Sequence, residues 1–275
     1  MNLIGEDPEG LAAIEYKMLR EKLGLDKPIY VQYINFLTRF FHGDLGRSLI
    51  TRNFVWDEIR VRYPRTLELA VASIVVALTI AIPAGITSAT RQNSIIDNFC
   101  MSGAVFGISI PSFWMGIMLI YIFSFRLRLT PMSGWGGIEH LILPAITLGT
   151  RSASMLARLT RSSMLEILRQ DYIRTARSKG LSERIVIYKH AFKNALIPVI
   201  TSLGGRFGAL LGGSLITETV FAYPGIGMLT IKAINETDYP VVQGTLMITT
   251  FTFVLIYIIV DIIGAYIDPR VEYEH

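Results

Sequence analysis

Apolar residues fall in five blocks, 67–90, 99–125, 141–163, 195–221 and 241–267, separated by shorter polar stretches. Each block is near or above the about 20 residues with which an α-helix crosses some 30 Å of hydrocarbon. The pattern therefore predicts an all-α, polytopic membrane bundle of five transmembrane helices. Pro83 lies late in the first block, and Pro111 follows Gly107 in the second and predicts a kink there. The third block holds Pro144 and three arginines, Arg151, Arg158 and Arg161. In the fourth, Gly204, Gly208 and Gly212 recur every four residues, the small-xxx-small spacing that lets membrane helices approach closely. The fifth is the most continuously apolar, with Asp261 near its end. Ahead of them, 1–66 reads as a soluble segment. It contains an amphipathic helix over 12–23 and a second over 29–41, the latter with an apolar stripe of Tyr33, Phe36, Leu37 and Phe40. Phe41 to Leu49 is a glycine-punctuated link, and His42 within it reads as a surface histidine.

Composition agrees with the blocks. Hydrophobic residues make up 51% of the 275 residues and charged ones 17%, against about 25% charged in soluble domains. Mean hydropathy is +0.45. The net charge of +4 sits in the loops and reports topology, not nucleic-acid binding. Cys100 is the only cysteine, which excludes an internal disulfide framework or cysteine metal site. The polar, acidic start of the chain does not read as a signal peptide.

The most basic stretch is the connection 164–194. It carries Arg169, Arg174, Arg177, Lys179, Arg184, Lys189 and Lys193 against Glu166, Asp171 and Glu183. A short loop of this kind between two spans marks the cytoplasmic side. Leu165, Leu168, Tyr172 and Ala176 form a narrow apolar stripe on a single helix over 164–179. Gly180 supplies a left-handed residue to end it. Ser182 can cap a second helix over 183–196, which Pro198 disturbs. With 164–194 inside, the tail 268–275 is also inside, 126–140 is outside and 1–66 is outside.

The run DYIRTARSKGLSERIVIYKHAFKNALIP, residues 171–198, resembles the cytoplasmic EAA loop of binding-protein-dependent ABC importer permeases, in the form used by the dipeptide/oligopeptide/nickel family. Thr175-Ala176 and Gly180 stand where that loop has Ala-Ala and Gly, with Arg174 in place of the leading Glu. Tyr172, His190, Asn194, Ala195 and Pro198 also match. The resemblance extends to Gly43-Asp44-Leu45-Gly46-Arg47-Ser48, to Arg62-Tyr63-Pro64-Arg65-Thr66-Leu67-Glu68-Leu69, and to Asp268-Pro269-Arg270. It implies the transmembrane domain of a type I ABC importer, 67–267, for peptides or similar small solutes, in a bacterial or archaeal cytoplasmic membrane. It also implies a further helix ahead of the polar segment, six in all. The implied ATPase-coupling residues are Leu168, Asp171, Tyr172, Thr175, Ala176, Lys179 and Gly180. The implied partners are a second related permease, two ATPase subunits holding ATP and Mg, and an extracytoplasmic substrate-binding protein. No cofactor would be bound by this chain. A basic juxtamembrane helix holding anionic lipid is the plainer reading, but it has no use for Gly180 followed by a second helix.

No G-x-x-x-x-G-K-[ST], H-E-x-x-H or G-x-S-x-G occurs, so the chain carries neither a phosphate loop nor a recognisable catalytic or metal constellation. Arg151 and Arg206 fall near the middle of their spans, where a charge costs from about 2.5 to over 10 kcal/mol unless paired or hydrated. Either both line the translocation path, where a guanidinium can take a peptide carboxylate, or they pair structurally with a partner permease. Arg158 and Arg161 read as snorkelling to headgroups. Glu218 precedes Tyr223-Pro224-Gly225, which is either an outer gate or docking edge, or an interfacial turn. An ion-driven secondary transporter is the rival function, favouring internal repeats and acidic midplane residues; an intramembrane enzyme lacks a catalytic pair.

Overall fold

The structure, a computed structural model, describes Met18 and residues 26–267. The helix expected over 12–23 and the tail 268–275 lie outside the described residues. Helices account for every extended element among those described, with a single isolated bridge between Arg47 and Phe54.

The first helix, α1 (Ile29–Phe41), forms where its periodicity places it, but Tyr33 of its expected stripe is exposed. The following link turns at Gly43 and Gly46, both at positive φ. Helix α2 (Val55–Thr90) then begins well ahead of residue 67. Asp57 and Glu58 favour its N-terminus, Val55 and Ile59 bury one face, and Pro64 and Pro83 are absorbed within it. The boundary read at residue 66 therefore falls inside a continuous helix.

The second block is broken, not kinked. Helices α3 (Ile95–Ser109) and α4 (Ser112–Leu119), the latter continued by a π-helical turn (Ile120–Arg126), meet at an angle of 103°. Pro111 explains the break, because its ring forces Ile110 out of the helical region, to φ −75° and ψ 126°. Helix α5 (Ile138–Leu168) ends at Arg169, and Gln170 is extended before α6 (Asp171–Ser178) starts. The single helix expected over 164–179 is thus two, so Leu165 and Leu168 cannot share a stripe with Tyr172 and Ala176. The buried pair of α6 is Ile173 and Ala176, three residues apart on one face.

Gly180 ends that segment at φ +75°. Ser182 occupies the cap position of α7 (Glu183–Ile185) without its hydroxyl bonding to the backbone. From there the chain continues through a π-helical stretch (Val186–Ala191) into α8 (Phe192–Val220). Pro198 does not stop it. A proline removes one backbone donor, and packed membrane helices tolerate that loss. A helix that the apolar pattern did not indicate, α9 (Ile226–Asn235), precedes α10 (Tyr239–Ile267).

Five long helical stretches thus correspond to the five expected spans. Four of them, the broken pair counted once, are apolar enough to cross a membrane on their own. The fifth, α5, is held below that standard by its arginines and small polar residues. It lies along α2 in a seam of small side chains, with Ala77, Ala81, Ala153 and Ala157 all buried. A Cβ on Gly149 would lie 2.6 Å from the Ser73 carbonyl oxygen, and one on Gly85 2.9 Å from that of Ala157. Gly204 and Gly208 meet Val260 and Phe253 of α10, as their spacing predicts; Gly212 faces open space. Val75, Ile80, Phe106, Leu255 and Ile258 are exposed on the outer surface, an apolar coat suited to lipid.

Candidate functional site

Three places carry the polar residues: the α6 region at one end of the bundle, a knot at the other end, and a groove between them. Helix α6 rests on the foot of the bundle through Ile173 and Ala176, which pack with Ile86, Met164, Val186 and Ala191. Ala176 therefore faces inward, packed against the bundle. Asp171, Tyr172, Thr175, Lys179 and Gly180 are exposed, and Leu168 is half-buried. Two polar ties hold the helix in place, and a third, an ion pair, lies within it. Asn194 Nδ2 donates to the Tyr172 hydroxyl at 2.8 Å. Arg177 forks onto Glu183 at 2.8 and 3.3 Å. Arg174 approaches Asp171 at 3.6 Å.

At the opposite end Glu218 is fully buried. Its carboxylate accepts from Thr66 Oγ1 at 2.8 Å and from the Met228 N–H at 3.1 Å. The carboxyl group thereby sits at the N-terminus of α9, where unpaired backbone donors can bond an acceptor. Thr66 Oγ1 in turn accepts from the Ile226 N–H at 2.8 Å. The buried Tyr223 donates to Glu68 Oε2 at 3.1 Å, and Arg65 reaches the Pro224 carbonyl at 3.3 Å while stacking over Trp135. Gly225 is required here, since a Cβ would run into the Glu218 carboxylate and Thr66. The segment 218–226 is a knot joining α2, α8 and α9.

Between the ends, a groove of about 490 Å³ opens among α3, α5 and α8. Arg158, Arg161, Ser162 and Arg206 line it with Met101, Ile108 and Met155. Arg161 does not snorkel. It forks onto the buried Asp97 carboxylate at 2.8 and 2.7 Å, and Ser88 and the Asn93 N–H bond the same carboxylate. Arg206 contacts Met155 Sδ at 2.8 Å, and its buried Nε has no acceptor among the described residues. Arg151 is exposed and does not line the groove, so the structure does not bring the two central arginines together. No group of three or more potential metal ligands occurs among the described residues.

Residues 81–273 match the family described as the binding-protein-dependent transport system inner membrane component. The chain belongs to this family. It is 42% identical to the dipeptide transport system permease protein DppB of Alkalihalophilus pseudofirmus, over 98% of this chain and 89% of that protein. The dipeptide permease DppB of Escherichia coli K12 is 39% identical over 100% of this chain and 89% of its own length. The glutathione transport system permease protein GsiC of the same strain is 42% identical over 97% and 87%. Among solved structures, the inward-facing MetNI methionine ABC transporter superposes with a TM-score of 0.67 at 18% identity, covering 77% of this chain and 96% of that one. That likeness concerns the fold.

As a family member the chain is a membrane permease of an ABC importer, one component of a multi-subunit system in which ATP is hydrolysed elsewhere. The family stretch 62–69 acquires a physical meaning from the knot, because Arg65, Thr66 and Glu68 each bond the 218–226 segment. Asp97 escaped the reading of the sequence. The signal was present in Ser94-Ile95-Ile96-Asp97, a helix-start pattern in which the Ser94 hydroxyl accepts from the Asp97 N–H at 3.2 Å. Asp238 was also missed; it accepts from Ser48 and from the Leu49 N–H, fixing the glycine link against the start of α10.

Proposed function

We propose that this permease forms one half of a path carrying dipeptides or similar short peptides into the cytoplasm, with α6 as its contact to a separate ATPase. Near full-length similarity to dipeptide permeases carries the substrate class. The coupling assignment is supported by α6 standing proud of the bundle on an apolar foot, its outer face formed by Asp171, Tyr172, Thr175 and Lys179. A helix so tied to α5 and α8 moves with them as a body, which is what transmission of ATPase closure needs. The break at Gln170 turns α6 out of the line of α5 while leaving it seated on the bundle.

In this reading the α6 end and the tail 268–275 are cytoplasmic, and the knot at 218–226 faces the extracytoplasmic side with the polar residues ahead of α2. A second related permease closes the groove, two ATPases bearing ATP and Mg dock below, and a substrate-binding protein delivers peptide from above. Glu218, Tyr223, Pro224 and Gly225 act as the fixed rim of the outer opening and not as its moving part, because the segment is bonded to α2 at Thr66, Glu68 and Arg65 and to α9 at Met228. The test is purification from native membranes, followed by reconstitution of the recovered complex in vesicles. ATP-dependent accumulation of labelled Ala-Ala is the expected result. Accumulation driven by an ion gradient without ATP would overturn the reading.

A further inference from the structure

The groove between α3, α5 and α8 holds cations without matching anions. Among the described residues, Asp97 is the one carboxylate bonded to its lining, and it is consumed by Arg161, Ser88 and Asn93. Arg158 and Arg206 have no acidic partner among the described residues. For Arg206, near the middle of α8, the available acceptor is a thioether sulfur, a weak one. A guanidinium at that depth is stable only if it is hydrated or paired, so the groove is either a water-filled compartment or an anion site. Its volume of about 490 Å³ falls within the range typical of small-molecule sites, about 300–1,000 Å³. Its remaining lining is Met101, Ile108, Met155, Leu159 and Ser162. Methionines re-pack around varied shapes, which suits side chains that differ from one cargo to the next.

We propose that Arg158 and Arg206 form the carboxylate-reading part of the substrate path: this permease takes the C-terminal carboxylate of the peptide. The inference rests on the peptide-importer reading and deepens it by giving the cargo a direction. Two arginines can hold a carboxylate by charge-assisted hydrogen bonds, whereas an ammonium group would be repelled by the same pair. Arg161 is kept out of this work by Asp97, which also prevents a third uncompensated charge from trapping the anion. Arg151 lies outside the groove and has no part in it.

The experiment uses the assembled complex in nanodiscs of neutral lipid, with a reporter Ser162→Cys in a Cys100→Ser background. Modification of the reporter is timed with an anionic sulfonatoethyl and a cationic trimethylammonium methanethiosulfonate, located by mass spectrometry. The anionic reagent should react about tenfold faster than the cationic one. Ala-Ala should slow it, and Ala-Ala amide at the same concentration should not. Arg158→Gln and Arg206→Gln should each abolish that discrimination while Arg206→Lys retains part of it. Equal protection by the two peptides, or protection by neither, overturns the proposal. So does protection by added phosphatidylglycerol alone, which would make the bound anion a lipid phosphate. Dissociation of the complex in both Gln variants likewise overturns it, since the arginines would then pair with a partner's carboxylate. Ala-Ala uptake by the parent complex, reconstituted in sealed vesicles of the same lipid, is measured in parallel. Absent uptake counts against the importer reading, and normal uptake with unaltered protection counts only against the arginine pair.

Discussion

The Asp97 carboxylate accepts from Arg161, Ser88 and the Asn93 N–H at once, so its removal strands a cation and two donors together. Breaking a buried ion pair by deleting one partner costs about 3–5 kcal/mol, towards the lower end here because the Arg161 side chain is 24% exposed. Asp97→Ala should therefore lower the melting temperature of the purified permease clearly, and Asp97→Asn less, since an amide oxygen still serves Ser88. The double variant Asp97→Asn/Arg161→Gln should recover much of the loss. A double variant no more stable than Asp97→Ala would show that charge pairing is not what holds this corner. Such pairing is hard to read from the sequence because Asp97 and Arg161 are far apart in it. The hydropathy pattern marks Arg161 as an odd residue in a span, but nothing in it says which carboxylate answers. Glu218 was legible as unusual for the same reason, and its partners Thr66 and Met228 were not. Gly180 was fully legible, because a helix end followed at once by a new helix start needs a left-handed residue.

At the scale of helices, α6 separates two kinds of substitution. Ala176 is buried against Met164 and Val186, so Ala176→Asp should unseat α6 itself and not merely an outside contact. Limited proteolysis should then cut near residues 169–182 in the permease alone. Thr175→Ala and Lys179→Glu alter the outer face and should leave that protection nearly intact, while reducing substrate-stimulated ATP hydrolysis in the complex. Gly180→Val forces a β-branched side chain into positive φ, at about 1–3 kcal/mol, and should behave like Ala176→Asp. Unaltered ATP hydrolysis in both outer-face variants would remove α6 as the contact. The existence and order of the long helices could be read from apolar block length alone, and α1 and α8 begin close to where the pattern puts them. What the pattern hid was interruption. Gln170 carries no helix-breaking signature, so α5 and α6 read as one. The sharp turn at Ile110–Pro111 read as a kink because proline alone does not say how far the chain will swing. Helix α9 was concealed by the Tyr223-Pro224-Gly225 turn ahead of it, although Gly225 is its cap.

Across the whole molecule, polar ties concentrate at the two ends and the middle is held by close packing of small residues. The Glu218 knot fixes one end of α2, and the Ser88–Asp97–Arg161 network fixes the other. Between them α2 and α5 touch backbone to side chain at Gly85 and Gly149. A pair so joined along its length moves as one rigid piece, and the groove with Arg158 and Arg206 lies on its flank. Motion that opens or closes the path then has to come from elements bound less closely to it, such as α10, which bonds α2 through Tyr63 and Thr252 alone among the side-chain ties described. Glycine substitutions test this division. At Gly149 a Cβ would press on the Ser73 carbonyl oxygen, which is backbone and cannot rotate away. Gly149→Val should separate the seam and abolish stable insertion or assembly. Gly212 meets nothing within 4 Å, and replacing a mid-helix glycine by alanine favours a helix by up to about 1 kcal/mol. Gly212→Ala should thus leave the melting temperature unchanged or slightly raised, as read by thermal unfolding in detergent. Gly208→Ala should fall between, because its Cβ meets only the Phe253 ring, which can swing aside at the expense of α8–α10 contact. If Gly149→Val matched the parent in stability, the α2–α5 pair would not be the rigid half of this permease.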